Sequence, residues 1–130
     1  MDGPVEPPGW ARPHGYSNGY RLGNLLFVAG QIAWDAEQRL VGAGDFGVQF
    51  DRALANVRAV LDAAGVWPDR VGRVTVYVTD KRAYLAALPA VGAAWRTHFG
   101  RHYPAMALVQ VADLLEEGAM VEIEATAVCP

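Results

Sequence analysis

This 130-residue chain has no cationic excess: eleven Lys and Arg stand against fourteen Asp and Glu, a formal net charge of -3. With a pI near 5.5 there is no basic field to attract a phosphate backbone, so nucleic acid is not an expected partner. No apolar run approaches the roughly twenty residues of a membrane span, and Met1 to Pro13 has no apolar stretch of the signal-peptide kind. A membrane is not an expected partner either, and the expected localisation is cytoplasmic. The one cysteine, Cys129, excludes an internal disulfide and suits a reducing compartment. Nothing near it in sequence would depress its pKa, which argues against a catalytic thiolate. Serine is as scarce, with Ser17 alone. The run Gly15-Tyr16-Ser17-Asn18-Gly19 spells the G-x-S-x-G of a nucleophile elbow, yet an elbow needs a strand before it and a helix after it. Here a proline-rich arm precedes and a hairpin follows, so the run reads as a turn or a pocket wall.

What the chain does have is apolar material: 52% of its residues are hydrophobic and 19% charged, enough for one domain with a real core. Pro4, Pro7, Pro8 and Pro13 fall in the first thirteen residues and discourage regular structure. Residues 1–13 are therefore expected to form an irregular arm and 14–130 a single domain. Gly23-Asn24, flanked by Tyr20 to Leu22 and Leu25 to Ala29, suits the positive backbone angles of a tight hairpin turn. Phe50, Ala53, Leu54, Val57, Val60, Leu61 and Ala64 follow the spacing of one helical face, with Gly65 fitted to the left-handed cap. Val74, Val76 and Val78 alternate with polar neighbours, which predicts a half-buried strand ending near Asp80. Tyr84, Leu85 and Leu88 suggest a short helical turn. Pro89 suits a helix start, so a second helix runs from there through Val91, Trp95 and Phe99 to Gly100. Met106 to Val111 and Met120 to Val128 supply the last two strands. The predicted class is α+β, a sheet with both helices on one face.

Two further patterns are weak. His98 and His102 have the spacing of a helical metal pair, but Gly100 interrupts them and no glutamate follows His98; exposed helix-end histidines are the plainer reading, and no metal site is assigned. Trp10, Trp34, Trp67 and Trp95 are scattered without basic clusters, so core or interface packing accounts for them better than a base-stacking platform. For Trp34, at the mouth of a strand, a ligand contact stays open beside packing.

Six pieces in order carry a resemblance over about Gly15 to Val128: Gly15-Tyr16-Ser17; Gly23 to Ile32; Ala53-Leu54 with Asn56-Val57; Val74 to Asp80; Pro104-Ala105; and Val121 to Ala127. The chain resembles the Rid (YjgF) family of small enamine and imine deaminases. The resemblance implies a chorismate-mutase-like fold, a homotrimer with clefts between subunits, a small-molecule ligand, and no metal or organic cofactor. It assigns Tyr16 to the pocket wall, Ala29 and Gly30 to a backbone contact, and Glu122 to the positioning or activation of water. Glu124 lies on the same strand face, so the choice between the two carboxylates stays open.

Departures from the family pattern cluster. The arginine that follows Pro-Ala and grips a substrate carboxylate is here Met106, the asparagine opening the second helix is Leu88, and the cysteine two residues past the arginine is Leu108. Losing one charged partner costs roughly 1.5–3 kcal/mol, one to two orders of magnitude in binding a 2-imino acid. Met106, Leu88 and Leu108 would favour a flatter, less anionic ligand, unless Arg12, Arg96 or Arg101 replaces the anchor. Met106 is equally readable as core packing, and Glu122 as solvent-facing, ion-paired or a poised acid/base. The expected activity is water addition or proton transfer on a small reactive imine, enamine or related carbonyl compound, distinct from a standard 2-imino-acid deaminase. The alternatives are a non-catalytic binding or regulatory trimer and, against the acidic charge, a ribonuclease or translation inhibitor.

Overall fold

The computed structural model describes residues 1–130. Its strands are β1 (Gly3–Val5), β2 (Gly19–Leu22), β3 (Leu25–Gln31), β4 (Val71–Val78), β5 (Ala105–Gln110) and β6 (Val121–Val128), and its helices α1 (Phe46–Ala63), α2 (Lys81–Ala86) and α3 (Leu88–Phe99). The six strands form one mixed sheet in the order β1-β2-β3-β6-β4-β5. Only β4 and β5 run parallel; every other neighbouring pair is antiparallel.

Alternation decides which residues go inward. Along β6, Val121, Ile123, Ala125 and Ala127 are buried while Glu122, Glu124 and Thr126 are not. Val74, Val76 and Val78 of β4 point the same way as the buried set. Against this face lies α1, whose Phe50, Ala53, Leu54, Val57, Val60 and Leu61 are almost wholly excluded from solvent. The helix begins at Phe46, one turn before the periodic run, because the Asp45 side chain accepts from the Val48 amide as an N-cap. It ends as the sequence indicates, at Gly65 with φ +71°. Trp95 and Phe99 of α3 join the same core, their rings 4.6 Å apart.

The structure corrects several expectations. The N-terminal arm is not irregular throughout: β1 pairs with β2, with Gly3 opposite Arg21 and Val5 opposite Gly19. An edge strand is where a proline such as Pro4 is tolerated. Side chains hold the arm as well, since Asp2 accepts from the Gly23 amide at 2.8 Å and Glu6 accepts from the Asn18 side chain at 2.7 Å. In the hairpin turn only Gly23 has positive φ, +59°, and Asn24 does not. That places the left-handed residue first, as a type II′ turn requires. The helical turn expected near Tyr84 is a separate helix, α2, capped by Asp80 accepting from the Arg82 amide.

His98 and His102 are half-buried rather than exposed. His98 pairs with Asp51 at 3.0 Å, and His102 Nε2 donates to the Val71 carbonyl; no cluster of three metal-ligating side chains exists. Trp67 is 70% exposed and packs in no core of this chain, unlike Trp10 and Trp95. No helix is long and apolar enough to cross a membrane. Cys129 is 4% exposed, and its amide donates to the Asn24 carbonyl, tying the chain end to the hairpin turn.

Leu54 is fully buried between α1 and the sheet. Leu54→Ala should destabilise the fold by about 2–5 kcal/mol through lost transfer energy and a residual cavity. Urea unfolding followed by circular dichroism should show a lower midpoint at unchanged slope.

Candidate functional site

The chemistry-bearing residues divide between the two faces of the sheet. On the face without helices, β6 contributes Glu122 and Glu124, and β4 contributes Tyr77 opposite Glu122 and Thr75 opposite Glu124. The Tyr77 hydroxyl donates to Glu124 Oε2 at 3.2 Å. Burial raises the Tyr77 pKa, and the neighbouring Glu124 charge adds to it. Glu124 is thus engaged, whereas the Glu122 carboxylate accepts no hydrogen bond within the chain. Partial burial, reinforced by the Glu124 charge, holds the Glu122 carboxyl above the usual range.

Space for Glu122 comes from β3. Val28 pairs with Ala125 and Gln31 with Ile123, so three steps along β3 match two along β6. The extra residue is a β-bulge at Ala29-Gly30, a device that re-aims side chains next to functional sites. Gly30 sits against Glu122: a Cβ there would lie 2.7 Å from the Glu122 carboxyl carbon and 2.9 Å from its Cγ, with the Oε2 oxygen nearer still. The parity change also turns Gln31 inward. Its Nε2 donates to the Asn18 side chain at 3.2 Å and to the Ala29 carbonyl at 3.1 Å, while its Oε1 has no partner. Ala29 in turn donates its amide to the Asn18 carbonyl.

On the opposite face, Val74 pairs with Met106 and Val76 with Leu108, so both β5 side chains point toward the helices. They line a cavity of about 250 Å³ with Phe50, Tyr84, Val91 and Trp95. Met106 is 44% exposed, a cleft wall open to solvent rather than core.

The remaining sequence-assigned positions stand apart. Tyr16 is exposed and accepts from the Gln38 side chain at 3.3 Å; burial and the Glu6 charge raise its pKa, and the Gln38 bond opposes them. Trp34 lies in the loop after β3, where its carbonyl and that of Ile32 accept from the Asn56 side chain. Leu88 is the exposed first residue of α3 and lines no part of the Met106 cavity. Within one chain, then, Gly30 meets Glu122 and Met106 meets Leu108, but the two groups face opposite ways. The sequence reading did not single out Tyr77, Asn18 or Gln31 as site residues. Period-two alternation from Val74 puts Tyr77 on the face away from the helices, and the β4–β6 register then sets it beside the glutamates; Asn18 falls next to Ala29 across the tight β2–β3 hairpin and meets Gln31 because the bulge turns that side chain inward.

The family model described as endoribonuclease L-PSP matches residues 10–129. A RutC family protein of Pyrococcus abyssi is 35% identical over 86% of this chain and 84% of its own length. The 2-iminobutanoate/2-iminopropanoate deaminase of Salmonella typhimurium is 34% identical over 87% of this chain and 86% of its length. Among solved structures, E. coli TdcF with bound serine superposes with a TM-score of 0.84 at 28% identity, covering 98% of this chain and 99% of that one.

Gly30→Ala should destabilise the protein, and Glu122→Ala in the same chain should recover most of the loss, because it removes the atoms the new methyl meets. Thermal unfolding of the two single variants and the double would show it; additive losses would mean that Gly30 serves another purpose. A raised carboxyl pKa means that the folded state holds its proton more tightly than the unfolded one. Glu122 therefore subtracts stability as pH climbs through the ordinary carboxylate range toward its raised value. Glu122→Gln should raise the melting temperature at pH 7 relative to the parent, with the gain fading in acid.

Proposed function

The chain belongs to the endoribonuclease L-PSP family, also known as the Rid family, and on that premise we propose that it is an enzyme acting on a small reactive imine, enamine or related carbonyl compound. Glu122 orients water or shuttles the proton, Tyr16 positions the ligand, and the Ala29-Gly30 backbone contacts it. The observation that carries this reading is the state of Glu122: a carboxyl without hydrogen bonds, set against Gly30 at a bulge, with its pKa raised by burial. A carboxyl poised nearer neutrality serves as acid or base more effectively than one fixed in an ion pair, and general acid–base catalysis contributes about 10²–10⁴-fold.

In a single chain Glu122 stands on an open sheet face, so the cleft needs a second wall. That face carries the exposed apolar side chains of Tyr20, Leu22, Leu25, Phe27 and Val109, a patch suited to burial against another copy. A homotrimer with clefts between subunits, cytoplasmic and working without metal, accommodates these features. Met106 leaves the β5 position without the cation that would hold a 2-imino acid, so such substrates are processed slowly.

Two measurements test the proposal. Light scattering should give three times the 14.0 kDa chain mass, and Phe27→Glu should lower it. Ammonia release from 2-iminopropanoate generated in place should be slow in the parent, faster in Met106→Arg, and reduced about 10²-fold or more in Glu122→Gln. Full activity of Glu122→Gln would remove Glu122 from the mechanism, and no ammonia release above the uncatalysed rate from any imine that binds would favour a non-catalytic binding trimer.

A further inference from the structure

Met106 removes a cation from one wall of the α3–β5 cavity, and α3 places another on the facing wall. Arg96 lines the same cavity of about 250 Å³ as Met106, Leu108, Trp95 and Val91, and is its only charged lining residue. Its guanidinium lies back along the helix over Gly92: a Cβ built at Gly92 would be 3.2 Å from Arg96 Nη1. Glycine at this position, inside a helix where it costs about 1 kcal/mol relative to alanine, leaves the room that the guanidinium occupies.

Arg96, like Arg12, Arg52, Arg73, Arg82 and Arg101, has no side-chain partner in the chain, and of these six it alone lines the α3–β5 cavity. Arg39 pairs with Asp35 and Glu37, and Arg58 with Asp62; Arg21 and Arg70 donate to backbone carbonyls. The Arg96 side chain makes no ion pair and no hydrogen bond in the chain, and no carboxylate lines its cavity. Tyr84 and Tyr103 line it too, and neither hydroxyl is bonded within the chain. A fork of donors with no acceptor, at the edge of a hollow walled by an indole, a thioether and aliphatic groups, has the complement of an amphiphilic anion.

We propose that the α3–β5 cavity binds a carboxylate with a compact apolar body, a single ring or a short branched chain, its anionic group held by Arg96 and its body packed on Trp95, Met106 and Leu108. Ligand size follows from volume, since the cavity falls just below the roughly 300–1,000 Å³ of sites for drug-sized molecules. Met106 is then the surface on which the apolar body rests, and specificity passes from a cation on β5 to one on α3. Within one chain Glu122 faces the other way, so binding and not turnover is the readout.

The test compares 3-phenylpropanoate with its neutral isostere 3-phenylpropanamide by calorimetry at pH 7. The parent should prefer the acid by about 10- to 100-fold, the worth of a charge-assisted hydrogen bond. Arg96→Gln should bind acid and amide alike, Arg96→Lys should keep part of the preference, and Leu108→Trp, which fills the cavity, should weaken both ligands. Melting temperatures of all variants check that each is folded; Arg96 is on the surface, so its two variants are expected to match the parent. Equal affinity of the parent for acid and amide, an undiminished preference in Arg96→Gln, or no binding of either ligand would overturn the proposal.

Discussion

A single surplus residue in β3, opposite the shorter run of β6, sets most of what is chemically distinctive about the open face. Before the bulge, Leu26 and Val28 point to the helices; after it, Gln31 does so instead of its predecessor. Without the surplus, the alternation would carry Gln31 to the open face and break its bond to Asn18. The same step leaves a backbone without side-chain bulk beside Glu122. A carboxyl in that recess is shielded from part of its solvent while receiving no compensating donor, which keeps its proton in play. The bulge thus links a buried amide network, which holds the arm through Glu6, to the acid–base state of a strand residue.

The sheet differs in character between its two faces. Its helix-covered face is dry except where α3 and β5 part, and its bare face combines two carboxylates and a phenol with a run of aromatic and aliphatic side chains. A bare face of that composition is unfinished as a monomer surface. β5 belongs to both regimes: Met106 and Leu108 serve the cavity under α3, while Ala107 and Val109 look toward the bare face. It is also one of the two edge strands of the sheet, with β4 as its one strand neighbour. Substitution at position 106 therefore alters one cavity wall without disturbing the buried core.

How much of this was legible in the sequence depends on the range of the interactions involved. The α1 face, the β4 alternation and the Gly65 cap are local signals, set by helix and strand periods, and the structure reproduces them. The β1 strand was hidden because prolines mask a strand that survives only at an edge, where the missing amide is harmless. Half-burial of His98 and His102 depends on Asp51 and on Val71, which reach them only across the fold. Spacing leaves Glu122 and Glu124 equal, since both share a face; their surroundings differ through Tyr77 and Gly30, from two different strands. The opposite orientation of Met106 and Glu122 follows from the parallel register of β4 with β5, which no local pattern encodes. Arg96 was one of three arginines with equal standing in the sequence, and only the course of α3 beside β5 separates it from the others.

The chain's lone thiol lies just past the last strand, buried in the core, its backbone latched to the turn between β2 and β3. A reagent in solution meets it only when that latch and the strand end have opened. The rate at which Cys129 reacts is accordingly a clock for the loosening of the C-terminal edge, read on the natural chain without any introduced label. Because there is no second cysteine to confuse the signal, ligand binding or assembly that tightens the sheet would register as a slower clock.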